Sequence, residues 1–528
     1  MRLGIDFGTT RIVVSVVDRG NYPLVSFDCP DDTSRDWFPA LAAFPVSGNE
    51  TRAYGWEAWS KQAEPGWATV RSLKRLLGEL GPETPISVGP HRMAALSLFQ
   101  ELASALKNSL MRESTLTIKD GEPLEVILGV PAHANSNQRF LTAEAFRGAG
   151  FQVMAMLNEP SAAAIEFGHR NKLSKDKILV YDLGGGTFDA SLVLLTETER
   201  SVVASEGIGT LGGDEFDLVL AEMVMEEAGL DASELSQQQW FLLVDACRER
   251  KEALHPNTRK IEVDLDATLN VSGRVPIAVA DYYERAWPLV AETLHATDDM
   301  LAAHGGVEAI EALYVTGGGS ELPLVSRQLR EKYGRKVKRS AYMRAATAIG
   351  LAIHADHQSG YTLKERFHQN FGVWREADGG RRIVFDPVFL KGTELPAAKK
   401  AAIEVRRSYH PVHNIGHFRF LESTRISEDS QPAGEITYWD EICFPFDPSF
   451  ESTKDLEKVH VGHSASAARC KIAETYSCDS NGRVTVEIEN LSTGHKRTYP
   501  LARWGQKAEA VAAETTTKRK RGKKASSA

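Results

Sequence analysis

One unit occurs twice in this chain: an apolar run, an aspartate, a glycine turn with threonine, and a second apolar run. It reads LGIDFGTTRIVVSVV from Leu3 to Val17 and ILVYDLGGGTFDASLVLL from Ile178 to Leu195. Glycine weakens strand and helix alike because it loses the most backbone entropy on folding. A chain that sets Gly184, Gly185 and Gly186 between two strands therefore needs bare backbone there. Consecutive glycines present N–H groups with no side chain in the way and tolerate positive φ, as a turn cradling a phosphate requires. An aspartate cannot bind a phosphate, but it can hold Mg²⁺ through water while the metal bridges to the phosphates. Hydroxyls of Thr9, Thr10 and Thr187 can bond to phosphate oxygens or to the metal's waters. A tight hairpin needs neither three glycines nor a matched aspartate. The repeat predicts two related halves that face a cleft and clamp one nucleotide. A third run, Gly317-Gly318-Gly319-Ser320, follows the strand-like ALYVT and precedes Pro323 at a helix start. Backbone N–H groups at a helix start suit an anion or a flat ligand, which makes this turn the candidate for the nucleoside side.

The 528 residues exceed one ordinary core. Strand-like and helix-like segments alternate up to residue 357, the pattern of an α/β architecture. NSNQRFLTAEAFRGAG and NEPSAAAIEFG read as helices, the second with Pro160 in its first turn. A polar stretch at 358–371 reads as a linker. From 372 to 505 short strand-like runs separated by turns, DSNG among them, predict an all-β domain. Residues 506–528 read as a disordered tail, ending in six basic residues out of the seven in Lys518–Lys524. The net charge of -9 argues against general nucleic-acid binding, the basic tail excepted. Five scattered cysteines suggest neither a zinc site nor a disulfide framework. No leader is visible and no apolar run approaches the roughly 20 residues of a membrane span. The expectation is a cytoplasmic protein.

Six segments, IDFGTT, GVPAHANSNQR, NEPSAAAIEFG, YDLGGGTFDASLV, GTLGGDEFD and VTGGGSELPLV, in that order and spacing, resemble the nucleotide-binding domain of the DnaK-type heat-shock-70 chaperones. That family belongs to the actin and hexokinase superfamily. The resemblance implies an α/β fold: an actin-like two-lobed ATPase domain with ribonuclease H-like repeats, over 1–357, then a smaller β-sandwich. It implies hydrolysis of ATP to ADP and phosphate with Mg²⁺, through attack of water on the γ-phosphate. By similarity Asp6 and Asp182 sit beside the metal and its waters, and Gly8, Thr9 and Thr10 beside the phosphates. Lys74 matches the lysine that reaches the γ-phosphate and orients the water. Glu159 and Asp189 match carboxylates near the metal, with Thr187 close to the γ-phosphate. Gly184, Gly185, Gly186, Gly212 and Gly213 offer backbone to the phosphates, and Lys251, His255, Gly317 and Gly318 contact the nucleoside. The family's partners are unfolded or specific client polypeptides and co-chaperones.

The chain departs from the family at the base end. Glu252 and Glu321 stand where the family has arginines that flank the adenine, Arg248 where it has a ribose-holding glutamate, and Met343-Arg344-Ala345 where it has Pro-Asp-Glu. Arginine stacks on an aromatic face and glutamate does not, so weak ATP affinity and poor discrimination of ATP from GTP are expected. The β-rich region is similar to the family's peptide-binding β-sandwich in its opening strands, FGVWREADGGRRIVFDPVFLKGTELPA, and in its closing hairpin, CDSNGRVTVEIENLSTGHKRTYPL. With about 20 residues after Trp504 no helical lid is expected, and the linker keeps only Leu363 and Phe367 as apolar anchors. Two functions remain open: an ATP-hydrolysing chaperone, or a nucleotide-sensing interaction protein with slow or no turnover.

Overall fold

The computed structural model describes residues 1–501 except 48–50, 63, 78–79, 81, 83, 120, 133, 135, 172–175, 196–199, 270, 272, 357–366, 368, 378–381, 392, 394–395, 397–400 and 480–483. The basic tail expected at 506–528 and most of the linker, Leu363 included, lie outside the described residues. Contacts divide the chain into two compact units, Met1–Leu395 with His417–Tyr438, and Pro396–Gly416 with Trp439–Ala528.

The repeat of the sequence is a repeat of the fold. In the first half β1 (Arg2–Phe7), β2 (Arg11–Val16), β3 (Phe38–Pro39), β4 (Glu125–Val130) and β5 (Gln152–Asn158) lie in the order β3-β2-β1-β4-β5. In the second half β6 (Asp176–Leu183), β7 (Phe188–Leu195), β8 (Arg200–Ile208), β9 (Ala312–Thr316) and β10 (Val337–Arg339) lie in the order β8-β7-β6-β9-β10. In both, the first strand pairs antiparallel with the second across the glycine turn and parallel with the fourth. The central strands are buried on both faces, which explains their unbroken apolar runs.

Helices α1 (Leu73–Leu76), α2 (Ser136–Gly148), α3 (Glu159–Asn171), α4 (Gly213–Ala228), α5 (Gln237–Glu252) and α6 (Ala346–Ala355) carry or support the site. α2 and α3 stand where helices are predicted. α3 and α6 cross closely: a Cβ on Gly350 would sit 1.8 Å from the Ala162 carbonyl oxygen.

The compact units do not divide at the expected boundary. Strands β11 (Asn370–Ala377), β12 (Arg382–Phe389), β13 (Ile415–Ile426) and β14 (Pro432–Pro445) extend the first half's sheet to nine strands, β12-β11-β13-β14-β5-β4-β1-β2-β3. β14 pairs with β5 at Thr437↔Ala155 and Ile436↔Met156. Without it β5 would present an open edge. Trp374, Ile383, Phe385, Leu421, Ile436 and Tyr438 join the core under α2. Each large apolar side chain fully buried contributes about 1.5–3 kcal/mol. Arg139 of α2 is wholly buried and donates to the carbonyls of Ala134 and Gly434 and to Asn158 Oδ1. Phe367, an expected linker anchor, is buried and stacks on Phe389 at 5.0 Å.

The second unit holds one antiparallel sheet of Ile403–Tyr409, Ile472–Cys478, Val484–Asn490 and His495–Leu501, in that order. Burial alternates along its middle strands, as a sheet with one covered face requires. The opening strands assigned to a sandwich stand instead in the first unit. No helix among the described residues is long and apolar enough to cross a membrane.

Candidate functional site

Asp6, Gly8, Thr9, Thr10, Lys74, Glu159, Asp182, Gly184, Gly185, Thr187, Asp189, Gly213, Lys251, Gly317 and Gly318 line one cleft between the two halves. The two glycine turns meet there face to face. A Cβ on Gly185 would lie 2.5 Å from Thr10 Oγ1, and one on Gly186 2.5 Å from Thr9 Cγ2. Gly212 presses on Gly186, with a would-be Cβ 2.5 Å from its nitrogen. Bare backbone is thus needed for the turns to approach each other as well as for any phosphate. Gly186 and Gly212 are buttresses behind the cleft rather than lining residues. The N–H groups of Gly213 and Asp214 donate to the carbonyls of Gly184 and Gly185 at 2.9 and 2.7 Å, so the start of α4 is tied to the second turn.

Lys74 sits on the one-turn helix α1. Ser72 precedes it in the left-handed region, φ 53°, and Ser72 Oγ donates to Asp214 Oδ2 at 2.8 Å. A left-handed serine is uncommon, and the bond to the opposite half holds it. Lys74 Nζ donates to Glu159 Oε1 at 2.6 Å. Glu159 begins α3, and Gly129 of β4 leaves room for it: a Cβ there would meet Glu159 Cγ at 3.2 Å.

The electrostatics follow from burial. Asp6 is pushed up to about 7 by loss of water and then by Glu159, with Lys74 opposing. Asp182 is raised well above the ordinary carboxylate range by burial and then by Glu159, Asp189 and Asp6. Burial would lower Lys74, but Glu159 and then Asp6 more than offset it and keep the ammonium charged. Four carboxylates thus share one ammonium at this end, an excess of negative charge that suits a divalent cation. Among the described residues no group of three or more His, Cys, Asp or Glu side chains converges as a metal cage. The residues fit a magnesium that arrives with phosphates and is held through its waters.

The end of the cleft expected to take the base is built from ion pairs. Asp245, Arg248, Lys251 and Glu252 share one face of α5 through their i, i+3, i+6, i+7 spacing. Arg248 bonds Asp245 and Asp217, and Lys251 bonds Asp217 at 2.7 Å and donates to the Gly213 carbonyl at 2.7 Å. Arg71 bonds Asp245 at 2.6 Å and lies 3.5 Å over the Phe241 ring. Glu252 accepts from Arg11 on both oxygens at 2.8 Å and from Arg344 at 2.9 Å. Arg344 Nε donates to Glu321 at 2.7 Å. Where Glu252 and Glu321 replace the family's arginines, Arg11 and Arg344 bring guanidinium groups from other segments to face them. His255 is exposed at the turn beyond α5, its N–H on Thr258 Oγ1, and the cleft does not include it.

Arg11 and Trp37 line the cleft without having been singled out, and Arg344, noted in the sequence only as a departure from the family, joins them. The Arg11 guanidinium lies 4.6 Å over Trp37. A signal for Arg344 existed: the sequence reverses the family's charge at 252, at 321 and at 344 together, the mark of exchanged partners.

A model of the family described as Hsp70 protein matches residues 100–367. A chaperone protein HscA homolog of Burkholderia multivorans is 31% identical over 376 residues, 68% of this chain and 59% of that protein. One from Pseudomonas aeruginosa is 32% identical over 375 residues, 68% of this chain and 58% of that protein. One from Colwellia psychrerythraea is 31% identical over 372 residues, 67% and 58%. The chain spans under 60% of the length of these curated relatives.

Proposed function

Since the chain belongs to the Hsp70 family, we propose that it binds ATP with Mg²⁺ in this cleft, hydrolyses it to ADP and phosphate, and acts as a chaperone in the cytoplasm. The observation that carries the reading is the pair of facing glycine turns with Lys74 and Glu159 joined across their mouth. Catalysis of this kind is positioning and electrostatics, because charge spreads over the transferred phosphoryl oxygens. Lys74, kept charged, faces the γ-phosphate and orients the attacking water. Glu159 holds Lys74 in place. Thr9, Thr10 and Thr187 donate hydroxyls to phosphate oxygens. Asp6, Asp182 and Asp189 would hold a magnesium through its waters, and that ion would supply positive charge to the phosphates. Gly317 and Gly318 support the nucleoside, and Lys251 braces α5 against α4. Client polypeptides and co-chaperones are the partners.

A second reading, a nucleotide-sensing interaction protein with slow turnover, is favoured by the pairing of β14 with β5. Strands that would form a free client-binding module are part of the ATPase sheet instead. Steady-state ATP hydrolysis by the full chain, with and without an unfolded apolar peptide, separates the two. Turnover stimulated by peptide supports the chaperone. Binding of ATP without turnover, indifferent to peptide, supports the sensor.

A further inference from the structure

The second compact unit holds a pair of histidines that shares no residue with the nucleotide cleft. The stretches HPVH at 410–413 and HVGH at 460–463 run antiparallel, and His413 stands opposite His463. Backbone bonds flank the pair: Ser464 N–H donates to the Val412 carbonyl at 3.0 Å, and Asn414 N–H to the Gly462 carbonyl at 2.9 Å. His413 and His463 are therefore a non-hydrogen-bonded pair, the position at which antiparallel side chains come closest. Their ring centroids lie 4.7 Å apart, with the planes tilted by 39°. Asn414 fixes the backbone on both sides. Its Nδ2 donates to the His460 carbonyl at 3.0 Å, and its Oδ1 accepts from the Gly462 N–H at 2.8 Å. His413 is half-buried and His463 exposed, so solvent reaches the pair.

We propose that His413 and His463 form a two-imidazole site for a divalent copper, nickel or zinc ion, with water completing the shell. The ring spacing supports chelation. An imidazole bound at about 2.0–2.1 Å sets its centroid about 3.2 Å from the ion, so two rings on one ion stand about 4.5 Å apart at a right angle and about 5.2 Å apart at the tetrahedral angle. The observed 4.7 Å falls between these. Rotation about χ2 of histidine is soft, so the nitrogens can turn toward a common point. The donor set sets the choice of ion. The carboxylate of Asp447, bonded to the residue after His463, is already committed: Oδ2 accepts from Ser464 Oγ at 2.5 Å, and Oδ1 from the Ser449 N–H and Oγ at 3.0 and 2.8 Å. Neutral nitrogen ligands suit copper, nickel and zinc, whereas magnesium prefers oxygen. Two protein ligands accord with the lack of any larger His, Cys, Asp or Glu group among the described residues. His410 and His460 stand apart, because residues three apart in an extended segment face opposite ways. His410 Nδ1 is moreover bonded to the Cys470 carbonyl at 2.8 Å. The ion staples residues 410–414 to the connection 446–471, which has no strand of its own.

The test is calorimetric titration of the full chain with Cu²⁺, Ni²⁺ and Zn²⁺, in excess Mg²⁺ so that carboxylate sites are filled. Wild type binds one ion at this site, copper most tightly. His413→Ala and His463→Ala each weaken binding at least about tenfold, since even a residue behind a ligand is commonly worth that much. His413→Phe with His463→Phe keeps a pair of rings, loses the nitrogens and loses the site. His410→Ala with His460→Ala binds as wild type does. Spin-echo spectroscopy of wild type with one equivalent of Cu²⁺ shows two imidazole nitrogens on the ion, a result that depends on no variant. Wild type that binds none of the three ions overturns the proposal. So does affinity unchanged in the phenylalanine pair, an equal loss in the 410 and 460 variant, or a copper signal with fewer than two imidazoles.

Discussion

The two ends of the cleft are built by different means. The phosphate end is backbone: glycine turns pressed together at distances that exclude a Cβ, each turn continuous in sequence with the strands on either side. The base end is side chain: guanidinium and carboxylate groups from residues 11, 248, 252, 321 and 344, far apart in the chain. Backbone contact tolerates almost no substitution, because nothing but glycine fits. Charge contact tolerates exchange, because a pair works with its members traded. A chain can therefore keep one end and rewrite the other.

The largest expected effect is at the phosphate end. Lys74→Ala removes the one ammonium among Asp6, Glu159 and Asp182, and single-turnover hydrolysis should fall about 10²–10³-fold while nucleotide binding persists. Equal rates in wild type and variant would break the contrast at its root. Next comes the backbone itself. Gly212→Ala drives a Cβ into Gly186, and overpacking of this kind costs about 1–3 kcal/mol in urea unfolding. Gly209→Ala, with open space around it, is the control and should unfold as wild type does. A Gly212→Ala protein of full stability would show that the turns can part.

At the base end the expected effects are smaller, and one has a counter-intuitive sign. Installing the family's arginines, Glu252→Arg with Glu321→Arg, sets them against Arg11 and Arg344 and should weaken ATP binding about tenfold, near 1.4 kcal/mol. Tighter binding would mean that the native arginines do not occupy the base end. The smallest effect is on stability. Burial would raise Glu252, but Arg11 and then Arg344 hold it at about 2, against an ordinary 4.5. A lowered carboxylate adds stability above its unfolded value, and that stability disappears as pH falls through the folded one. Glu252→Gln should therefore lower stability by on the order of 1 kcal/mol at pH 7, after allowance for its partial exposure. The gap to wild type should stay constant from pH 8 to 5 and close as pH drops from about 4.5 toward 2. Urea melts at pH 7 and pH 3.5 measure it, and a gap that does not narrow would remove the ion pairs as its cause.

The repeat, the helices α2 and α3, the glycine turns and the lining positions of Asp6, Lys74, Glu159, Asp182 and Thr187 were legible in the sequence. Each is a local pattern: period, punctuation, or a residue type with one physical use. His255, expected beside the nucleoside, stands outside the cleft lining, because a helix ends at Glu252 and the turn beyond it carries the ring to solvent. The sequence shows Glu252 and Glu321 plainly, but not what faces them.

Tertiary structure alone decided which side chains meet across the base end and to which sheet the strands at 370–438 belong. Both are questions of partner choice. The apolar runs of β12 and β13 call for burial, but an open edge accepts any strand of matching register, and only the fold brings β5 within reach of β14. Likewise Arg344 lies 23 residues from Glu321 and 92 from Glu252 along the chain. Attraction between charges depends on distance in space and on burial, and a linear sequence states neither.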